Sequence, residues 1–397
     1  MRETGWYKRA VKRSLFVAVA AFTLFVVGFL WLGPNIFDRA ANRVLHDPPY
    51  VASDAAKNLY ADLFVVDLHA DSLLWDRDLS QRSSHGALDL PRLIEGNVAI
   101  QSFFIVSKSP WSQNIDSTPS DSDAITTLIA VQGWPAKTWG SLLERALHQS
   151  ALLHAIAARS DGKLAVLRSR EDLRKFREAR RTDRRIAAGV LGVEGAHVLQ
   201  GDLRNLRTLF DAGVRIVAPT HFFDNEIGGS AHGQGKGGLT ELGRQMIREM
   251  ESRAMLLDLA HASSAVVTEA IAMSTRPVIV SHTGVRGTCD NNRNLTDDQL
   301  RSIAATGGVI GIGYWDTAVC GDDADAIVRS IRYAADLVGV EHVALGSDFD
   351  GAVPVPFDTT GLPLIVDALL RNGMSQDDIR LIMGENAARV LAQTLPD

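Results

Sequence analysis

Eight apolar, β-rich runs separated by helical patterns constrain this chain more than any other feature. They cover residues 63–68, 98–106, 187–193, 214–219, 254–259, 277–281, 308–313 and 342–346. Continuous apolar strands, rather than alternating ones, belong to a parallel sheet covered on both faces. Eight such units in succession predict an α/β fold, a (β/α)8 TIM-like barrel. Helical patterns fill the intervals, among them 142–159, 241–253 and 324–338, with a last helix over 376–391. A ninth short run, 164–167, reads as peripheral to the ring. The stretch 107–122 is rich in Ser, Asp, Pro and Asn and reads as a long loop over the barrel mouth.

The strand ends carry the chemistry. The first run ends Asp67-Leu68-His69-Ala70-Asp71. Side chains alternate along a strand, so His69 and Asp71 point to one side. Imidazole and carboxylate are both good ligands for a divalent metal. Alone, this pair is an ordinary strand end. The later runs, however, end in Glu194, His221, His261, His282 and Asp348. In barrel enzymes the working residues stand at the C-terminal ends of strands. Clustered carboxylates are costly to bury unless a cation neutralises them. The donors suffice for two metal ions with a carboxylate between them, since a catalytic zinc takes about three protein ligands plus water. Asp67 and Asp258, inside their strands, either orient imidazoles or contact backbone. His197 and His232 lie in loops and read as solvated or as neighbours of the ligands. His46, His85, His148, His154 and His342 read as structural or surface groups, and Asp350 as a loop cap.

Composition removes other classes. Hydrophobic residues make up 46% and charged residues 22% of the 397, with net charge −6, so there is no footprint of a nucleic-acid partner. Cys289 and Cys320 have neither zinc-site spacing nor the density of a disulfide scaffold, and read as independent thiols. At the N-terminus, Arg2, Lys8, Arg9, Lys12 and Arg13 precede an uncharged run over residues 15–33. That run is long enough to cross a ~30 Å hydrocarbon core as a helix. The basic flank places its own side in the cytoplasm and the rest of the chain outside it, on the periplasmic side in a bacterium. No small-x-small cleavage site follows the run, so it reads as an uncleaved anchor rather than a signal peptide. The expected organisation is a basic flank and transmembrane anchor over 1–34, a tether and lead-in over 35–61, and a metallohydrolase barrel over 62–397.

With those residues in place, the chain resembles the membrane dipeptidase (renal dipeptidase) family, a branch of the metal-dependent hydrolase barrels. The resemblance rests on Asp67-Leu68-His69-Ala70-Asp71, Gly192-Val193-Glu194-Gly195-Ala196-His197, Gly238-Leu239-Thr240, Leu257-Asp258-Leu259-Ala260-His261, Val280-Ser281-His282, Arg293-Asn294-Leu295 and Gly346-Ser347-Asp348-Phe349-Asp350-Gly351. Gly384-Glu385-Asn386 with Arg389 resembles the family's ending. It spans about residues 62–392, in order. It implies two zinc ions per chain, with His69 and Asp71 on one, His261 and His282 on the other, and Glu194 bridging. It implies that His221 lies near the scissile group, that Arg293 holds the substrate's C-terminal carboxylate, and that Asp348 contacts the attacking water and the substrate amine.

The implied activity is zinc-dependent hydrolysis of dipeptides, through a hydroxide held between the metals. Two family traits come with it, acceptance of a C-terminal D-residue and opening of β-lactam rings, and dimers are common in the family. Two departures bear on substrate and attachment. The run after His221 is Phe222-Phe223-Asp224-Asn225, without the cysteine of mammalian members, so their disulfide is not expected. The loop over 223–238 is glycine-rich where others are often apolar, which leaves a related amidohydrolase acting on N-acyl amino acids, lactams or lactones as the alternative. A third reading, an anchored binding protein without catalysis, would require a replaced ligand position, and none is replaced. The chain ends without a hydrophobic tail, so attachment is expected through the N-terminus alone.

Overall fold

The computed structural model describes residues 3–397; within its first helix, the side chains of residues 3–11, 22, 24–27 and 29–31 lie outside that description. All eight expected runs are strands. They are β1 (Val65–Ala70), β2 (Val98–Val106), β4 (Ala187–Glu194), β5 (Val214–Val217), β6 (Leu256–Leu257), β7 (Ile279–Thr283), β8 (Val309–Ile312) and β9 (Val343–Leu345). The ninth run is β3 (Leu164–Val166), which pairs with the early part of β4 off the main path. Every residue of β1, β2 and β4 is buried, as both-face coverage requires.

The strands hydrogen-bond in the order β6-β5-β4-β2-β1-β9-β8-β7, and all ladders are parallel. The two ends meet just beyond β6. Asp258 bridges Ile279, and the amide of Leu259 donates to the Ile279 carbonyl at 2.8 Å. The sheet thus curls into a TIM-like barrel whose strand ends face one mouth.

The intervening helices start where side chains can cap them. Ser141 accepts from the Glu144 amide ahead of Leu142–Ala158, Thr240 caps Glu241–Ser252, and Asp323 caps Ala324–Val338. The last helix departs from expectation. It breaks into Gln376–Arg380, a wider turn over Leu381–Glu385, and Asn386–Thr394. The cause is a close approach: a Cβ at Gly384 would stand 1.9 Å from the Phe64 carbonyl oxygen at the foot of β1. Asn386 follows and donates to the carbonyls of Val340 and Val343, which seats the start of β9.

The N-terminal helix, Glu3–Ala41, runs on through Pro34 into the region expected as a tether. Its last turns dock on the barrel, with Asp38 accepting from Arg77 at 2.8 Å and from His85 at 2.9 Å. The lead-in helix is Asp54–Ala61, capped by Ser53. Among the described residues, no helix is long and apolar enough to cross a membrane. The expected span over 15–33 falls partly on side chains outside the description; of those described, Leu15, Phe16, Val17 and Val19 are exposed.

The two cysteines are not independent thiols. Cys289 and Cys320 form a disulfide, with Cα atoms 5.3 Å apart. Spacing in sequence hid the pairing. Cys289 follows β7 and Cys320 follows β8, and neighbouring barrel strands bring their following loops side by side.

Candidate metal centre

Each donor reaches the mouth by a local device. His69 and Asp71 lie on one side of the β1 end, with His69 Nε2 3.4 Å from Asp71 Oδ1. Glu194 is the last residue of β4, and Gly195 follows at φ +94°, where a Cβ would strike the His197 ring at 2.4 Å. His282 belongs to β7 itself. His261 and Asp348 sit on turns past β6 and β9, both at φ +61°, a conformation that non-glycine residues hold only where the surroundings enforce it.

These side chains converge on one carboxylate. Glu194 Oε1 lies 2.9 Å from His261 Nε2, 3.4 Å from His282 Nε2 and 3.7 Å from His69 Nε2, while its Oε2 lies 3.2 Å from His221 Nε2. His261 Nε2 and His282 Nε2 face each other at 3.0 Å. Asp348 Oδ1 stands 3.9 Å from His69 Nε2. All are buried.

The opposite side of each ring decides which nitrogen is free. Ser281 Oγ donates to Asp258 Oδ2 at 2.6 Å, which leaves its lone pairs to accept from His69 Nδ1 and His282 Nδ1, each at 3.0 Å. The Asp258 Oδ1 atom accepts from the amides of Ser281 and Ala260, so Asp258 both orients imidazoles and contacts backbone. Asp67 serves backbone only: its Oδ1 accepts from the amides of His69 and Ser347, tying β1 to the turn after β9. On His261, Nδ1 lies 3.0 Å from His232 Nε2. With each Nδ1 occupied, the Nε2 lone pairs point into the shared space.

Burial dominates the electrostatics. It pushes the carboxyls of Asp71 and Glu194 well above the ordinary range, reinforced by Asp350 for Asp71 and by Asp71 and Asp348 for Glu194. Asp348 is pushed up to about 7, first by burial, with His69 and Arg293 opposing and Asp71 adding. His69, His221, His261 and His282 are all held below the ordinary imidazole value by burial. Acids that resist ionising beside imidazoles that resist protonation suit a site that takes a cation.

A divalent metal fits this donor set. His69 Nε2 and Asp71 Oδ1 are buried without a hydrogen-bond partner. Three overlapping groups, each with donor atoms within 4.8 Å of one another, are His69–Glu194–His282, Glu194–His221–His261 and His69–Asp71–Asp348. Glu194 and His69 are the shared members. Neutral imidazole and carboxylate are the donors that zinc and similar ions take.

Arg293 flanks the cluster. Its Nη2 donates to the His282 carbonyl at 2.8 Å, and its guanidinium lies 5.4 Å from the Trp315 ring. It is buried, yet among the described residues it forms no ion pair. Burial lowers its pKa, with Asp348 and Glu194 opposing.

Of the two readings that the sequence leaves for His232, solvated or beside the donors, the structure bears out the second, since it touches His261. His232 and His197 are buried rather than solvated, His197 with Nε2 3.1 Å from Ser107 Oγ. Asp350 is more than a cap: it accepts from the Ala87 amide at 2.8 Å and pairs with Arg77 at 2.8 Å. Ser281, between an apolar run and His282, carries no signal except that place.

Comparison with known proteins agrees with this geometry. A family model described as membrane dipeptidase (peptidase family M19) matches residues 53–395. An uncharacterized protein in the pqqA 5′ region of Klebsiella pneumoniae is 32% identical over 259 residues, covering 61% of this chain and 93% of that one. Dipeptidase verJ of Clonostachys rogersoniana is 30% identical over 257 residues, covering 63% of this chain and 65% of that one. The solved structure of a metallo peptidase from Rhodobacter sphaeroides, with a phosphinate mimic of the dipeptide L-Ala-D-Ala, superposes with a TM-score of 0.69 at 25% identity, covering 84% of this chain and 99% of that one. The match over most of the sequence makes the protein a metallo-dipeptidase, as the resemblance implied. The chain belongs to the membrane dipeptidase family, peptidase family M19.

Proposed function

We propose that this dipeptidase works with two zinc ions, His69 and Asp71 on one side, His261 and His282 on the other, and Glu194 between them. The observation that carries the reading is the convergence of three imidazole Nε2 atoms on Glu194 Oε1, within 3.7 Å. When bound, the metals supply a water of lowered pKa and polarise the scissile carbonyl.

The chain's own residues do the rest. Arg293, a buried guanidinium without an ionic partner, receives the C-terminal carboxylate of the dipeptide in a bidentate contact that lysine could not reproduce. Asp348, poised near neutrality by burial, takes a proton from the attacking water and returns it to the leaving amine. His221 donates to the oxygen that gains charge on the scissile carbon. Contacts to both ends of the substrate select dipeptides over longer chains. A C-terminal D-residue fits this scheme, because the carboxylate clamp does not read the neighbouring side chain.

We also place the barrel outside the cytoplasm, held by the N-terminal helix. Among the described residues Leu15, Phe16, Val17 and Val19 are exposed, and the Cys289–Cys320 disulfide suits an oxidising compartment. Fractionation of cells carrying the full chain, with and without residues 1–33, tests this; recovery of both forms in the cytosol refutes it.

The catalytic reading is tested with metal analysis and a panel of L-L and L-D dipeptides, before and after chelation. About two metals per chain and chelator-sensitive turnover are expected. Turnover of N-acyl amino acids with no dipeptide cleaved would replace dipeptides by the amidohydrolase alternative, and one metal per chain would remove the binuclear centre.

A further inference from the structure

His232 is a loop residue with no solvent exposure. The glycine-rich segment that carries it is not loose. It winds around Asp224, whose Oδ1 accepts from the Ser230 amide at 2.8 Å and whose Oδ2 accepts from the Gly235 amide at 2.6 Å. Glycine is required inside that turn: a Cβ at Gly233 would stand 1.9 Å from Asp224 Oδ1. Phe222 stacks on the His232 ring with centroids 4.6 Å apart.

The ring is thereby held between two groups. Its Nδ1 lies 2.9 Å from the carbonyl oxygen of Ile115, in the long loop over the mouth. Its Nε2 lies 3.0 Å from Nδ1 of His261. A carbonyl oxygen only accepts, so the His232 proton sits on Nδ1. The neutral ring then offers a lone pair at Nε2, which accepts from the Nδ1–H of His261. That assigns the His261 lone pair to Nε2, 2.9 Å from Glu194 Oε1. Had the His232 proton been on Nε2, His261 would present an N–H to the metal and could not bind it.

The Ile115 carbonyl is itself pinned. It also accepts from Asn292 Nδ2 at 3.1 Å, next in sequence to Arg293, and the Thr118 amide donates to the His232 carbonyl at 2.6 Å. We propose that His232 is a positioning residue for the His261 half of the metal centre, and that the 107–122 loop sets it through the Ile115 carbonyl. Seating of that loop and retention of one metal are therefore linked. The other half of the centre does not depend on the loop, because Ser281 and Asp258 belong to the barrel.

This rests on the proposed two-metal centre, and the experiment separates the two. Full-length wild type, His232→Phe, His232→Gln and Asn292→Ala are loaded with Zn2+ or Co2+ and titrated with a competing chelator; the Co2+ visible spectrum is recorded alongside. In His232→Phe, which keeps the ring volume and its stacking, one metal is expected to weaken by roughly 10–100-fold while the other is unchanged. In His232→Gln, an amide oxygen again accepts from His261 and an amide N–H again donates to Ile115, so affinity and spectrum return to within a few-fold of wild type. Asn292→Ala weakens the same metal by a smaller factor. Wild-type affinities and spectrum in His232→Phe overturn the inference; equal weakening of both metals overturns its restriction to one half. Should His232→Phe not fold, unchanged binding in Asn292→Ala overturns the link to the loop. Wild-type protein that takes up a single metal would sink the binuclear reading instead.

Discussion

The imidazoles of the proposed metal centre are oriented in two different ways. Every ligand imidazole must be neutral, with its proton on the ring nitrogen that faces away from the metal. For His69 and His282 the acceptor is one hydroxyl, Ser281 Oγ, backed by the Asp258 carboxylate. These groups sit at adjoining strand ends and move only with the barrel. For His261 the acceptor is another imidazole, His232, backed by a backbone carbonyl on a loop. In the proposed centre His69 and His282, one on each metal, are thus held by the barrel, while His261 alone is held by the loops at the mouth. Such an arrangement lets the framework stay constant while the loops that shape the substrate site differ.

Glu194 is proposed to bind both metals, so its loss should affect both alike. Glu194→Gln keeps the shape and removes the charge. We expect kcat/KM to fall by at least about 10^3-fold, the equivalent of several kcal/mol of lost charge stabilisation. Metal content should fall with it, read by elemental analysis of the purified variant. A variant that keeps both metals and activity would remove the bridging role.

Ser281→Ala tests the imidazoles held by the barrel. It strips the acceptor from two imidazoles at once and leaves the Asp258 carboxylate without its hydroxyl donor. If His69 and His282 serve different metals, as proposed, both metals should weaken, each by roughly 10–100-fold. Chelator competition measures this directly. Weakening of one metal alone would show that the hydroxyl serves only one ring, and the contrast with His232 would then collapse.

How much of this could be read in the sequence follows the same division. The barrel was legible because its strands are buried on both faces, which writes them as unbroken apolar runs such as Val98–Val106. The donors His69, Glu194 and His282 and the acid Asp348, which the structure gathers at one mouth, are legible because strand ends are where such runs stop. For His232 the sequence leaves solvent and the donors' side both open, because the carbonyl that fixes it lies 117 residues away, and the sheet order β5-β4-β2 brings the two loops near each other. The kink at Gly384 was hidden for a related reason: its cause is the backbone of β1, not any neighbour in sequence. Cys289 and Cys320 could be paired only once β7 and β8 were known to be adjacent. Local periodicity reports what a segment buries, and says little about which distant loop it meets.

The disulfide gives a milder test of the loops at the mouth. It closes a separation of 31 residues beside Asn292 and Arg293, so its removal should cost about 3–4 kcal/mol of stability. Cys289→Ala/Cys320→Ala should lower the thermal midpoint by several degrees. It should raise KM more than it lowers kcat, since Arg293, the proposed carboxylate clamp, loosens while Glu194 and Ser281 stay in place. Equal changes in KM and kcat would show that the mouth and the barrel floor are not separable.

The smallest effect concerns His197, a third imidazole on the mouth side that touches no proposed metal. Burial, and then the charge of Lys108, pull its pKa down to about 3 from 6.5. The folded ring is therefore neutral where the unfolded one is protonated. Above about pH 6.5 both states are neutral, and the group adds no pH dependence. Below that, the unfolded chain binds one more proton, so stability falls as pH drops from about 6.5 toward 3, by at most roughly 1.4 kcal/mol per pH unit. His197→Gln keeps a polar contact to Ser107 and removes the titration. Its thermal midpoint should fall less steeply than wild type between pH 6.5 and 4.5, with the two slopes equal above pH 7. Parallel curves throughout would mean that His197 takes up a proton inside the folded protein, and that the mouth side admits water the barrel side does not.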